Sequence, residues 1–130
     1  MQLTKQTDFA FRTLIYLAQR EDNELVHIRD VCDFYRISAN HISKVVMKLA
    51  HLGYIEAARG KGGGIRMAMA PAQINVAEVV EAFETTLKPV NCDQPRCRIR
   101  SHCKLKGLLD DAMQAFIDTL GGHTLEDLLN

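Results

Sequence analysis

The chain has 130 residues and a mass of 14.6 kDa, 47% hydrophobic and 25% charged, with 3 prolines; this is the balance of one folded domain with its own core, not of a disordered or collagen-like chain. No apolar run approaches the ~20 residues of a membrane helix, and Lys5, Asp8 and Arg12 interrupt the stretch that a signal peptide would need. The cytoplasm is therefore the expected compartment, with the 4 cysteines expected as reduced thiols or metal ligands.

Residues 8–20 place Ala10, Phe11, Leu14, Leu17 and Ala18 on one helical stripe, with Thr7 and Asp8 suited to the start. A short helix over 27–35 turns Ile28, Val31 and Cys32 inward, and Arg36-Ile37 break the chain. Ser38 can cap a third helix carrying Ile42, Val45, Val46, Leu49 and Leu52 on its apolar face, with Gly53 ending it. Two helices joined by so short a turn have helix-turn-helix geometry. The period then changes: Ile55 and Ala57, then Ile65, Met67 and Met69, alternate as strands do around Arg59-Gly60-Lys61-Gly62-Gly63-Gly64. Pro71 closes this unit, and Asn75 with Glu78 forms a candidate capping box for a helix to about Glu84. Residues 85–103 lack periodicity and contain Pro89, Pro95 and three cysteines. Leu105, Leu108, Leu109, Ala112, Phe116 and Leu120 then stripe a long helix that Gly121-Gly122 ends, before a short helix capped by Thr124 and Asp127. Within one compact domain, residues 1–70 are expected to form the winged helix-turn-helix region, and 71–130 the cysteine loop and a dimerisation helix. The fold class is thus mostly α, a winged helix-turn-helix with a long C-terminal dimerisation helix.

The zero net charge conceals blocks. Residues 36–66 carry Arg36, Lys44, Lys48, Arg59, Lys61 and Arg66 against Glu56, a net +5. Residues 92–106 carry +4 and residues 107–130 carry −5. Such segregation points to a local anionic partner. On the third helix, Asn40, His41, Ser43, Lys44 and Lys48 form a polar face that can meet base edges or phosphates, next to the capping Ser38. In the hairpin, Gly62 and Gly63 allow close backbone approach to an anion, while Arg59, Lys61 and Arg66 supply phosphate or minor-groove contacts. A nucleotide-binding phosphate loop is excluded: the run lacks the GxxxxGK[ST] order and opens no helix.

Cys92-x4-Cys97-x5-Cys103 puts three thiols within twelve residues on a loop rich in cations. An iron–sulfur cluster, a zinc ion with His102 as fourth ligand, and free redox thiols all fit that pattern. Cys32, on the inward face of a helix, is expected as a small core residue, as are Met47, Met67 and Met69. Tyr16, Tyr35 and Tyr54 need no special role, and His27, His51 and His123 are expected as surface or capping groups. No paired Cys/His/Asp nucleophile and no HExxH occurs, so an enzyme is not expected.

The opening MQLTKQTDFAFRTLIYLA, the hairpin RGKGGGIRM and the loop NCDQPRCRIRSHCKLK resemble the winged-helix iron–sulfur regulators, and the cysteine spacing resembles their nitric-oxide-sensing branch. The resemblance implies a homodimeric transcriptional repressor of nitric-oxide detoxification genes that binds a palindromic double-stranded DNA operator. It implies a 4Fe–4S cluster on Cys92, Cys97 and Cys103, with Asp8 in the position of the carboxylate ligand that the other subunit supplies. Read alone, Asp8 is a helix-start acid. The alternatives are a regulator of the same family that senses iron, cluster status or redox state, and a zinc-stabilised interaction module.

Overall fold

The computed structural model describes residues 1–130. Five α-helices are observed, α1 (Lys5–Ala18), α2 (Ile28–Tyr35), α3 (Ala39–His51), α4 (Val76–Phe83) and α5 (Lys104–Gly121). A two-stranded antiparallel sheet, β1 (Ile55–Ala58) and β2 (Gly64–Met67), separates α3 from α4. Single 3-10 turns cover Pro71–Gln73 and Leu125–Leu128. No helix is long and apolar enough to cross a membrane.

The core follows the apolar stripes. Ala10, Leu14 and Leu17 of α1 meet Val31 of α2, Ile42, Val45 and Leu49 of α3, and Ile55, Ile65 and Met67 of the sheet, all buried. Val79 and Phe83 of α4 and Leu125 of the last turn complete it. Full burial of each larger side chain contributes about 2 kcal/mol. Cys32 is a core residue, 7% exposed.

The break between α2 and α3 is local. Arg36 adopts the left-handed conformation, φ 56°, and the Ser38 hydroxyl accepts from the His41 N–H at 3.4 Å. The sheet pairs Ile55 with Met67, Glu56 with Arg66, Ala57 with Ile65 and Ala58 with Gly64. Val26 joins its edge through two reciprocal backbone bonds with Ile65, both 2.8 Å.

Several expectations are corrected. α1 begins at Lys5, earlier than expected, with Thr4 as the N-cap residue and Thr7 completely buried within the helix, while Asp8 does stand in the first turn as a helix-start acid. The reason is long-range, because the Thr4 N–H and both threonine hydroxyls donate to Glu84 at the end of α4. Ala57 is exposed, although Ile65, its partner across the sheet, is buried. Met69 lies beyond β2 and is only partly buried. Met47, expected in the core, is 72% exposed. Asn75 caps α4 by accepting from Ala77 and Glu78 N–H at 2.9 and 3.3 Å, but Glu78 returns no bond. The Asn75 amide donates instead to the Gly121 carbonyl at 2.9 Å, which ties α4 to the end of α5. The long helix itself buries no residue, leaving Leu105 60% and Leu108 65% exposed.

Candidate nucleic-acid interface and cysteine loop

At about 100° per residue, the core stripe Ile42-Val45-Val46-Leu49 leaves Asn40, Lys44, Met47 and His51 centred on the opposite side of α3, flanked by Ser43. All five are exposed. Lys44 forms no ion pair, and neither do Arg59 and Lys61 at the hairpin tip. These cations are available to an anionic partner without breaking an internal contact.

The remaining expected contacts are engaged within the chain. Ser38 spends its hydroxyl on the helix cap. His41 stands against the Phe9 ring at 5.7 Å between centroids. Lys48 is half-buried, its ammonium 4.9 Å from the centre of the Phe83 ring of α4. Arg66 pairs with Glu56 directly across the strands at 3.0 Å. Two of the hairpin glycines also have packing reasons, whereas Gly62, at φ 81°, has nothing within 4 Å of where a Cβ would stand. A Cβ on Gly63 would collide with the Ala58 carbonyl, and one on Gly64 would stand 2.5 Å from the Val26 carbonyl oxygen.

The cysteine loop links α4 to α5 through successive tight turns. The Asn91 carboxamide oxygen accepts from the Asp93 and Gln94 N–H groups at 2.9 and 3.1 Å. The Cys97 N–H donates to the Cys92 carbonyl at 2.9 Å, and the Arg100 and His102 N–H groups close the next turns. Arg100 pairs with Asp93. Cys103 is the N-cap of α5, its Sγ accepting from the Lys106 N–H at 3.4 Å. The Lys106 ammonium bonds Asp110 at 2.7 Å. That bond and the charge of Asp110 raise the Lys106 pKa first, with Cys92 and Cys103 adding to the same effect.

All four cysteines are free, and those of the loop are half-buried. Three free thiols on a turn-rich loop form a donor set chemically suited to iron or zinc. The sulfurs do not converge, however: no three His, Cys, Asp or Glu side chains stand together as a ligand set. Asp8 forms a two-pronged bond to Arg12 of its own helix, both contacts 2.9 Å, and the Arg12 guanidinium also lies over the Phe9 and Tyr35 rings. Cys32 is separate from this set: burial first, then Asp33, pushes its thiol pKa up, which suits an inert core residue.

Sequence reasoning missed the clasp of Thr4 and Thr7 on Glu84. Its partners are separated by 80 and 77 positions, and no local signal could have joined them. The exposure of Met47 was legible in principle, since its place opposite the Ile42 stripe follows from the helical period.

Three packed helices followed by an antiparallel hairpin, with free cations at its tip, define a winged-helix DNA-binding regulator. The Rrf2 family, described as iron-dependent transcriptional regulators, matches residues 3–130, and the chain belongs to it. The HTH-type transcriptional regulators NsrR of Bacillus licheniformis and Bacillus subtilis are each 42% identical to it, across 99% of this chain and 92% and 90% of theirs. Among solved structures, T. potens IscR has the same fold with a TM-score of 0.78 at 18% identity, covering 98% of this chain and 85% of that one. The oxidized form of Staphylococcus aureus CymR has a TM-score of 0.77 at 20% identity, covering 98% and 95%. The chain is thus a transcriptional regulator and not an enzyme.

Proposed function

We propose that this protein is a cytoplasmic, homodimeric transcriptional repressor that senses nitric oxide through an iron–sulfur cluster and releases detoxification genes from repression. Residues 1–70 serve DNA binding, and residues 71–130 serve signal reception and dimerisation within one domain. Cys92, Cys97 and Cys103 hold the cluster, a 4Fe–4S centre, with Asp8 of the partner subunit as fourth ligand. The observation that carries this reading is the set of three free, half-buried thiols on the loop between α4 and α5, in a chain matched over nearly its whole length by the NsrR regulators. A bound cluster would supply iron at which nitric oxide reacts.

The protein's own residues do the rest. Asn40, Ser43 and Lys44 face the major groove, and Arg59, Lys61, Gly62 and Gly63 follow the backbone beside it. His41 and Ser38 support the helix start, while Lys48 and Arg66 act from its flanks. Glu84 connects the root of the cysteine loop to α1 at Thr4 and Thr7, four residues and one residue before Asp8. Because α1 packs on α3, movement of the loop reaches the recognition helices, and their separation decides whether both half-sites of a palindrome are engaged. Arg12 holds Asp8 until a better partner for the carboxylate arrives.

The test is protein purified without oxygen, analysed for iron, sulfide and visible absorbance, then titrated with nitric oxide while binding to a selected palindromic duplex is followed. A brown protein that bleaches and releases DNA in step is expected, and Asp8→Ala should weaken both cluster stability and that coupling. Colourless, zinc-containing protein would overturn the sensor reading in favour of a structural metal. The family's description as iron-dependent favours a second reading, iron or cluster status as the signal; an intact cluster indifferent to nitric oxide would select it.

A further inference from the structure

Met47 is an unexplained apolar side chain at the centre of a polar surface. It lies opposite the Ile42-Val45-Leu49 stripe, 72% exposed, and makes no part of the core cluster. Its neighbours on that face, Asn40, Ser43 and Lys44, are polar. Met47 also lines a cleft of about 630 Å3 between α3 and the hairpin, together with Ser43, Ala50, Ala58, Arg59 and Gly63. Val46, Ala57 and Ile65 also line it, so much of the lining is apolar, and it includes Arg59, a cation without an ion-pair partner. A partner that uses both features combines an anionic group with an apolar one.

Duplex DNA has that combination. The major-groove base edges present hydrogen-bonding groups at every pair, but one prominent apolar group, the 5-methyl of thymine. We propose that Met47 is a specificity-determining residue whose thioether packs on a thymine 5-methyl group, one such contact in each half-site. The inference rests on the DNA-binding reading above and deepens it. Ser43 and Asn40, one and two turns toward the helix start, then address neighbouring bases by hydrogen bonding. Methionine suits the contact because its unbranched, polarizable side chain adapts to an irregular apolar surface. Arg59 meanwhile fixes the register through the sugar-phosphate backbone.

The experiment uses the full chain, purified without oxygen, to select duplexes from a randomised pool. Affinities are then measured for a selected duplex and for versions in which deoxyuridine replaces each thymine in turn, which deletes only the methyl group. The wild type should lose about fourfold in affinity at one thymine per half-site, the worth of one buried methyl. Met47→Ala should bind the parent duplex correspondingly less tightly and ignore the same replacement, whereas Met47→Leu keeps the response. Because Met47 is exposed, its variants should fold; matching circular dichroism spectra check this, with Met47→Gln as a further methyl-blind variant. If Met47→Ala and Met47→Gln respond to every replacement as the wild type does, or no thymine responds in the wild type, the proposal falls while DNA binding stands. If no duplex is enriched at all, the DNA-binding reading falls and this inference falls with it.

Discussion

Glu84 shows how much of this fold rests on single polar residues. Burial alone would raise its carboxyl pKa, but the Thr7 and Thr4 hydroxyls and the Thr4 N–H bind the ionised form and together hold it below the usual 4.5. A carboxyl whose pKa is lower in the folded state stabilises the fold above the unfolded-state pKa, and that contribution disappears as pH falls through the folded one. Glu84→Gln should therefore cost about 1 kcal/mol near neutral pH, with wild type and variant converging in thermal midpoint below about pH 4.5. A difference that persists unchanged at pH 3 would contradict this account. At the same scale, Cys32 and Ser38 behave as the sequence implies because their roles are local: one lies on an apolar helix stripe, the other precedes a helix start. Glu84 and Thr7 were illegible because their partners lie across the fold.

At the level of elements, α2, α3 and the hairpin were readable because each is delimited by its own chemistry. Arg36 and Ser38 mark one boundary, Gly53 the next, and the glycine run the turn between strands. Lys48 shows the limit of that reading. A polar residue on a nominally polar face lies over the ring of Phe83 in α4, and no periodicity reports where a side chain of a later helix will stand. The distinction has a measurable consequence. Arg59→Ala removes an unpaired cation and should weaken operator binding while reducing the salt slope by about one ion. Its effect on the thermal midpoint should be negligible, as for most exposed substitutions. An unchanged slope would remove Arg59 from the phosphate contacts.

On the scale of the whole molecule, the fold class was legible, yet the cysteine site was legible only as a donor set. Spacing names the thiols, but their convergence depends on a loop whose turns are set by Asn91, Asp93 and Arg100. The same holds for α5, whose leucine stripe was plain in the sequence and which finds no intramolecular partner for Leu105 and Leu108. On the homodimer reading, the Leu105→Glu/Leu108→Glu double variant should sediment as a monomer with its helix content retained. A persistent dimer would move the interface elsewhere. Finally, the two ends of α5 are attached very differently. Its last turn is fastened through Asn75 to Gly121, Val76 to His123 and the buried Leu125, while its first turn continues directly from the cysteine loop. An 18-residue helix is about 27 Å long, so a tilt of only about 10° around the fastened end swings Cys103 through roughly 5 Å. In mechanical terms α5 is a lever with its fulcrum at Gly121, and the thiol loop lies where a small force has the longest arm.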